Sequence, residues 1–170
     1  MNRILDYIFF LYFASHIPIT IFVDSQVLLP KWFYPKQLLD LKDWYCREYR
    51  DPMMVAPPAW FKTFVYCEML VQFPFFFVAL FAFWKGIEQC KWIRIPLIVY
   101  STHVATTTIA ICYHIYAHDF RTSAFPGPES MPQRLLLLSF YFPYLLIPVM
   151  SLIDALFSSV YRQDCKKKIS

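Results

Sequence analysis

Charge is what this sequence has least of. Asp, Glu, Lys and Arg fill 16% of its 170 positions, where a soluble domain carries about a quarter. With 58% of the residues apolar, the excess must face something other than water. The basic residues form no patch but fall between apolar runs, and the net charge is only +4. Nucleic acid is therefore excluded as a partner. The five cysteines, Cys46, Cys67, Cys90, Cys112 and Cys165, include no Cys-x-x-Cys pair and no Cys/His cluster. This excludes a disulfide scaffold and a zinc site, and no metal or cofactor is expected. No internal repeat is evident, and glycine is nearly missing, with two residues against 13 prolines. The length suits one domain.

What the chain has instead is long apolar runs. About 20 apolar residues, rising about 1.5 Å each, cross a hydrocarbon core of about 30 Å. Four segments qualify, at about 4–29, 60–84, 95–117 and 135–157. The expected fold class is an all-α membrane protein: a four-helix transmembrane bundle with proline-kinked helices. One domain would occupy 1–158, followed by a basic tail at 159–170. The first segment is too long for a signal peptide, lacks a small-residue cleavage site and carries His16 and Pro18, so it reads as a retained span. Basic residues set the orientation. With both termini in the cytosol, the cytosolic segments hold eight basic residues in 26 positions and the opposite segments seven in 47. The tail ends KKKIS, so Lys167 and Lys168 stand fourth and third from the end. That spacing is similar to the dilysine retrieval signal of endoplasmic reticulum membrane proteins. Between spans 1 and 2, Leu38, Leu41, Trp44, Tyr45 and Tyr49 recur at helical spacing. They predict a short amphipathic helix over the lumenal end, closed by Pro52 and Pro57-Pro58.

The stretch VYCEMLVQFPFFFVALFAFW, residues 65–84, places Glu68 and Gln72 four apart inside a span. An acid deep in a span costs about 2.5–3.5 kcal/mol on insertion scales, so it faces a cavity or a partner. Asp6, Asp154 and Lys62 lie near helix ends, where snorkelling accounts for them. By helical rise, Asp24 sits about 8 Å and Glu68 about 12 Å below the lumenal edge. These are similar depths on consecutive helices, with Gln72 one turn beyond Glu68. Span 3 brings His103, Thr106, Thr107 and Thr108 to the same zone, and span 4 brings Tyr141 and Tyr144. Pro18, Pro74, Pro96, Pro143 and Pro148 put a proline in every span. Such prolines bend helices and loosen their centres, which leaves room for a cavity.

Two readings of these polar groups stand side by side. In one, they form a satisfied knot that staples the helices. In the other, they line a pocket for a hydrophobic ligand carrying a cation or hydroxyl. Two close acids share a proton, and the remaining charge in a dry site calls for a cation. Aromatic walls add cation–π attraction. His16, in mid-span, is of a kind more often found bonding helices together than catalysing. Asp51, before Pro52, is of a kind more often capping a turn than touching ligand.

The segments LYFASHIPITIFVD, YRDP, PPAWFKTFVYCEMLVQFPFF, CKWIRIPLIVYSTH and YFPYLLIP follow one another in the chain. Together they resemble the EXPERA superfamily, in its receptor branch, over about residues 8–150. The resemblance implies a four-helix protein of the endoplasmic reticulum membrane, with the nuclear envelope, endolysosomal and plasma membranes as further locations. It implies a homodimer that binds cationic amphiphilic ligands and sterols or oxysterols and regulates cholesterol handling. The Niemann–Pick type C cholesterol transporter is the implied partner. Carried over motif by motif, Asp24 becomes the salt-bridge partner of a ligand amine and Glu68 its hydrogen-bonded support. Gln72, Thr107 and Tyr144 line the pocket, Asp51 supports its lumenal side, and His16, Tyr141 and His103 are further pocket candidates. The alternative within the superfamily is the sterol isomerisation of the emopamil-binding protein. That proton transfer needs a donor and an acceptor across a carbocation-like centre. The isomerase pattern has a carboxylate four residues after its histidine; here the position holds Thr20, which is neither acid nor base near pH 7. No catalytic residue is therefore expected.

Overall fold

Each apolar run folds as a helix, because residues apolar on all sides suit a helix that meets lipid or protein around its whole circumference. The computed structural model describes residues 3–122, 125 and 127–161, so Lys167 and Lys168 lie outside the described residues. Helix α1 (Ile4–Phe22) continues into a 3-10 turn at Asp24–Val27. Helices α2 (Lys36–Tyr49) and α3 (Pro52–Val55) form the first connection. Helix α4 (Ala59–Cys67) joins α5 (Phe73–Lys85) through a π-helical segment, Glu68–Gln72. Helices α6 (Arg94–Ala117) and α7 (Met131–Phe157) complete the bundle. Four stretches are long and apolar enough to cross a membrane: Ile4–Val27, Ala59–Lys85, Lys91–Ala117 and Met131–Phe157. The protein is an all-helical membrane protein, with no strand among the described residues.

Span 2 is one residue longer at each end than expected and span 3 opens at Lys91 rather than 95, through a 3-10 turn at Lys91–Ile93; two further boundaries depart for local reasons. Span 1 stops at Val27 rather than 29. Ser25 Oγ donates to the Ile21 carbonyl at 2.5 Å and Gln26 Nε2 to the Phe22 carbonyl at 2.6 Å. Side chains thus occupy acceptors that continued α-helix would use. Span 4 begins at 131 rather than 135, because Ser130 and Gln133 form a capping box with Pro132 in the first turn. Gly86, at φ 96°, ends α5 in a conformation that favours glycine.

Helices α6 and α7 are consecutive spans and pack antiparallel, and an arginine clasps each end of the pair. Arg94, at the start of α6, donates to the carbonyls of Ala155 at 2.9 Å and Leu156 at 3.2 Å. Arg134, on the first turn of α7, donates to Ile115 at 2.8 Å, Tyr116 at 2.6 Å and His118 at 2.8 Å. Both satisfy carbonyls at a helix C-terminus, where positive charge is favoured. Ser101 and Ser151 join the same helices midway at 2.7 Å. Helix α1 packs on α5, where Phe13 stacks on Phe83 at 5.9 Å. One core of Phe9, Phe13, Phe76 and Phe83 fills the end that carries Arg3 and Tyr161. Another, of Met53, Phe61, Ile115 and Leu137, fills the loop end. The cavity described next borders both.

The structure departs from expectation at two sets of side chains. Asp6 and Asp154 do not snorkel: both are buried, and both pair with Arg3, which lies over the end of the bundle. The N-terminal residue of α1's flank reaches across to α7, so the two acids gain a cation instead of water. Lys62 is exposed, as snorkelling requires. On α2, Leu38, Tyr45 and Tyr49 turn inward as predicted, but Leu41 and Trp44 are half exposed. The inward stripe is Leu38, Lys42, Tyr45, Cys46 and Tyr49, one helical face that leaves those two on its flank.

Candidate ligand-binding site

The site begins where two helices lose their regularity. Pro74 cannot donate a backbone hydrogen bond, and its ring would strike the carbonyl four residues back in a regular helix. The preceding turn widens: the Phe73 N–H donates to the Glu68 carbonyl, a π-type bond. Glu68 and Gln72 bracket this turn, and both line the cavity. On the facing helix, Asp24 opens the 3-10 turn where α1 stops.

A cavity of about 280 Å³ lies between these irregular turns. Ile19, Val23, Phe61, Phe64, Val65, Val104, Ile111 and Phe140 give it apolar walls. His16, Asp24, Glu68, Gln72, Thr107, Tyr141 and Tyr144 all border it. Among the described residues, no Lys or Arg pairs with either acid. The two carboxyl groups lie close enough to share a hydrogen bond, which puts at least one proton on the pair. Glu68 is held from a second side, where the Thr20 hydroxyl donates to its Oε1 at 2.6 Å. Thr107 offers the cavity only acceptor capacity, since its hydroxyl donates to the backbone of His103 and Val104 at 3.2 and 3.1 Å.

His16 sits at the far end of the cavity, ringed by Tyr12, Phe76 and Tyr144 with centroid separations of 4.7, 5.0 and 4.8 Å. Its Nδ1 is sealed from solvent and has no hydrogen-bond partner among the described residues. Asp51 does not line the cavity. It is fully buried behind the loop-end wall, where it does two jobs. Its Oδ1 caps α3 by accepting from the N–H groups of Met53 at 3.0 Å and Met54 at 3.3 Å. Its Oδ2 accepts from the Tyr141 hydroxyl at 2.8 Å and the Tyr45 hydroxyl at 3.1 Å, and both tyrosines face the cavity. Burial raises the Asp51 carboxyl above its ordinary value, against the pull of these four donors.

His103 does not reach the cavity. Val104, Thr107, Thr108 and Ile111 form its α6 wall, at positions i, i+3, i+4 and i+7. His103 falls one residue off that stripe, and its Nε2 is buried without a partner among the described residues. Three contributors escaped the sequence reading as site residues: Tyr45, Thr20 and Met54. Tyr45 was visible only as part of an amphipathic face. Thr20 was visible only as the lack of a carboxylate, and its spacing of four from Asp24 was the available signal. No group of His, Cys, Asp and Glu among the described residues is arranged to hold a metal ion.

Fold and site together define a four-span helical membrane protein whose bundle encloses a carboxyl pair in an apolar cavity. Residues 37–155 match the sequence pattern of EXPERA, the expanded EBP superfamily, and the chain belongs to that family. It is 55% identical over 166 residues to Sigma intracellular receptor 2 of Xenopus tropicalis, covering 98% of this chain and 96% of the relative. To Sigma intracellular receptor 2 of Homo sapiens it is 47% identical over 170 residues, with the same coverage of 98% and 96%. A more distant relative is Efficient mitochondria targeting-associated protein 19 of Saccharomyces cerevisiae, 32% identical over 148 residues, or 81% of this chain and 89% of that one.

Proposed function

We propose that the chain is an intramembrane receptor, a binding protein for cationic amphiphiles and for sterols or oxysterols that regulates cholesterol handling. The observation that carries this reading is the Asp24–Glu68 pair. Sharing one proton, the pair would hold one charge in a cavity with no Lys or Arg in its walls, and a buried charge without a partner is costly. A protonated amine on an apolar body removes that cost, and the ring of tyrosines and phenylalanines favours a cation further. Asp24 receives the amine, Glu68 supports Asp24, and Gln72, Thr107 and Tyr144 line the ligand's path. Asp51 supports the loop-end wall through Tyr45 and Tyr141. The naming of the relatives as receptors supports a binding protein.

The sterol part rests on the family resemblance. At about 280 Å³ the cavity is at the small end of ligand pockets, which run about 300–1,000 Å³. A chain bearing an amine fits as the cavity stands, whereas a four-ring sterol requires the walls to part. The charge bias of the loops and the tail lysines Lys167 and Lys168 support residence in the endoplasmic reticulum membrane with both termini cytosolic. The homodimer and the Niemann–Pick type C transporter as partner rest on the resemblance alone.

A second reading, sterol isomerisation by proton transfer, has one observation in its favour: His16 and Glu68 border the same cavity. Against it, Thr20 spends its hydroxyl on Glu68 where the isomerase pattern places a carboxylate. The test is equilibrium binding of a lipophilic tertiary amine to the purified protein, beside an analogue with carbon in place of nitrogen. The receptor reading expects saturable binding of the amine and an analogue at least about tenfold weaker, a difference of about 1.4 kcal/mol. Equal affinities contradict it. Isomerised sterol product in a parallel turnover assay favours the second reading.

A further inference from the structure

The receptor reading uses one end of the cavity, and the other end is polar too. His16 lies eight residues before Asp24, about 12 Å along the helix axis. It is 7% exposed and makes no hydrogen bond among the described residues. Gln72 borders the cavity, is also 7% exposed and likewise has no side-chain hydrogen bond among them. A sealed nitrogen without a partner, such as His16 Nδ1, is uncommon, because it forgoes the bonds it makes in water, and the Gln72 amide borders the same cavity. They are not idle packing. The His16 ring is fixed by three aromatic neighbours, and the Gln72 backbone by the π-turn. With no carboxylate in contact, the imidazole is neutral and offers one donor and one acceptor nitrogen. The Gln72 amide likewise offers both kinds of group. This end of the cavity therefore suits an uncharged group that donates and accepts, and nothing there pairs with a second charge.

We infer that the cavity is built for a ligand with two unlike ends: a protonated amine at Asp24 and a neutral hydroxyl or carbonyl at His16 and Gln72. The inference rests on the receptor reading for its cationic end. Its neutral end stands on the two side chains without hydrogen bonds among the described residues and on the spacing of His16 from Asp24. Ligand length and the far polar group thus set selectivity, while the amine sets the charge requirement.

The test is a pair of lipophilic tertiary amines, identical except that one carries a hydroxyl about 12 Å from the nitrogen. Their dissociation constants are measured on wild type, His16→Phe, Gln72→Met, the double variant and Asp24→Asn. Wild type is expected to prefer the hydroxylated amine by about tenfold, the scale of one well-made hydrogen bond. The preference should fall toward unity in the double variant, the ratio and not the absolute affinity being the readout. Asp24→Asn should weaken both amines alike and keep their ratio. A ratio near one in wild type overturns the inference without needing any variant to fold. So does a ratio that survives in the folded double variant. If Asp24→Asn leaves both affinities unchanged while the ratio depends on His16 and Gln72, the two-ended cavity stands and the amine assignment fails.

Discussion

Single side chains decide how the acid pair behaves. Thr20 is wholly buried and donates to Glu68 Oε1 at 2.6 Å. Thr20→Val keeps the shape and removes the donor, which should cost about 1–3 kcal/mol of stability for the unsatisfied carboxyl. Thr20→Ser should restore most of it; thermal unfolding in detergent measures both. Asp51 behaves differently with pH. Its carboxyl is raised by burial, so the native protein takes up a proton more readily than the unfolded chain. The cost of the ionised form is present above the native pKa and fades as pH falls toward the ordinary value near 3.9. The melting temperature of wild type relative to Asp51→Asn should therefore rise as pH is lowered through that window; a difference independent of pH contradicts the assignment. Asp24 and Glu68 were legible in the sequence because acids stand out in apolar runs. Thr20 and Tyr45 were not, because a threonine or tyrosine costs little in a span and its partner is set only by packing.

At the scale of elements, irregular helices make the cavity. The bundle and its four spans could be read from apolar run lengths; of the prolines, Pro74 follows a π-turn, while Pro18, Pro143 and Pro148 lie inside continuous helices. The outcome at Pro74 was not legible: a π-turn, unlike a simple kink, is chosen by what the freed backbone meets in three dimensions. Pro74→Ala returns a backbone donor and removes the ring clash. We expect the turn to tighten to α geometry, rotating Glu68 away from Asp24. Amine affinity should drop at least about tenfold while the unfolding temperature holds or rises. Unchanged affinity contradicts the role given to this turn. The arginine clasps belong to the same scale. The sequence showed Arg94 and Arg134 only as topology charges, because a carbonyl acceptor on another helix leaves no mark on the chain. Arg134→Met strands three carbonyl acceptors and should cost about 1–2 kcal/mol of stability, visible as a lower melting temperature with little change in ligand affinity.

The whole molecule is a division of labour between two helix pairs. The α6–α7 pair is clasped at both ends, while the pairing of α1 with the α4–α5 span carries both acids at its irregular turns. The rigid pair supplies walls such as Thr107 and Tyr144, and the irregular pair supplies charge. The run of α2 and α3 over the loop end, pinned by Asp51, closes the cavity from one side. The sequence could place the polar groups at similar depth but not assign them to a face, which is why His103 was expected at the cavity and lies off it.

The most direct measurement of the central claim is the affinity of a lipophilic tertiary amine for purified wild type and for Asp24→Asn, with folding checked by melting temperature. Removing one partner of a buried charge pair costs about 2–5 kcal/mol, so the variant should bind about 30-fold or more weakly. An Asp24→Asn protein that stays folded and binds the amine as tightly as wild type contradicts the claim that this carboxyl receives the ligand's charge.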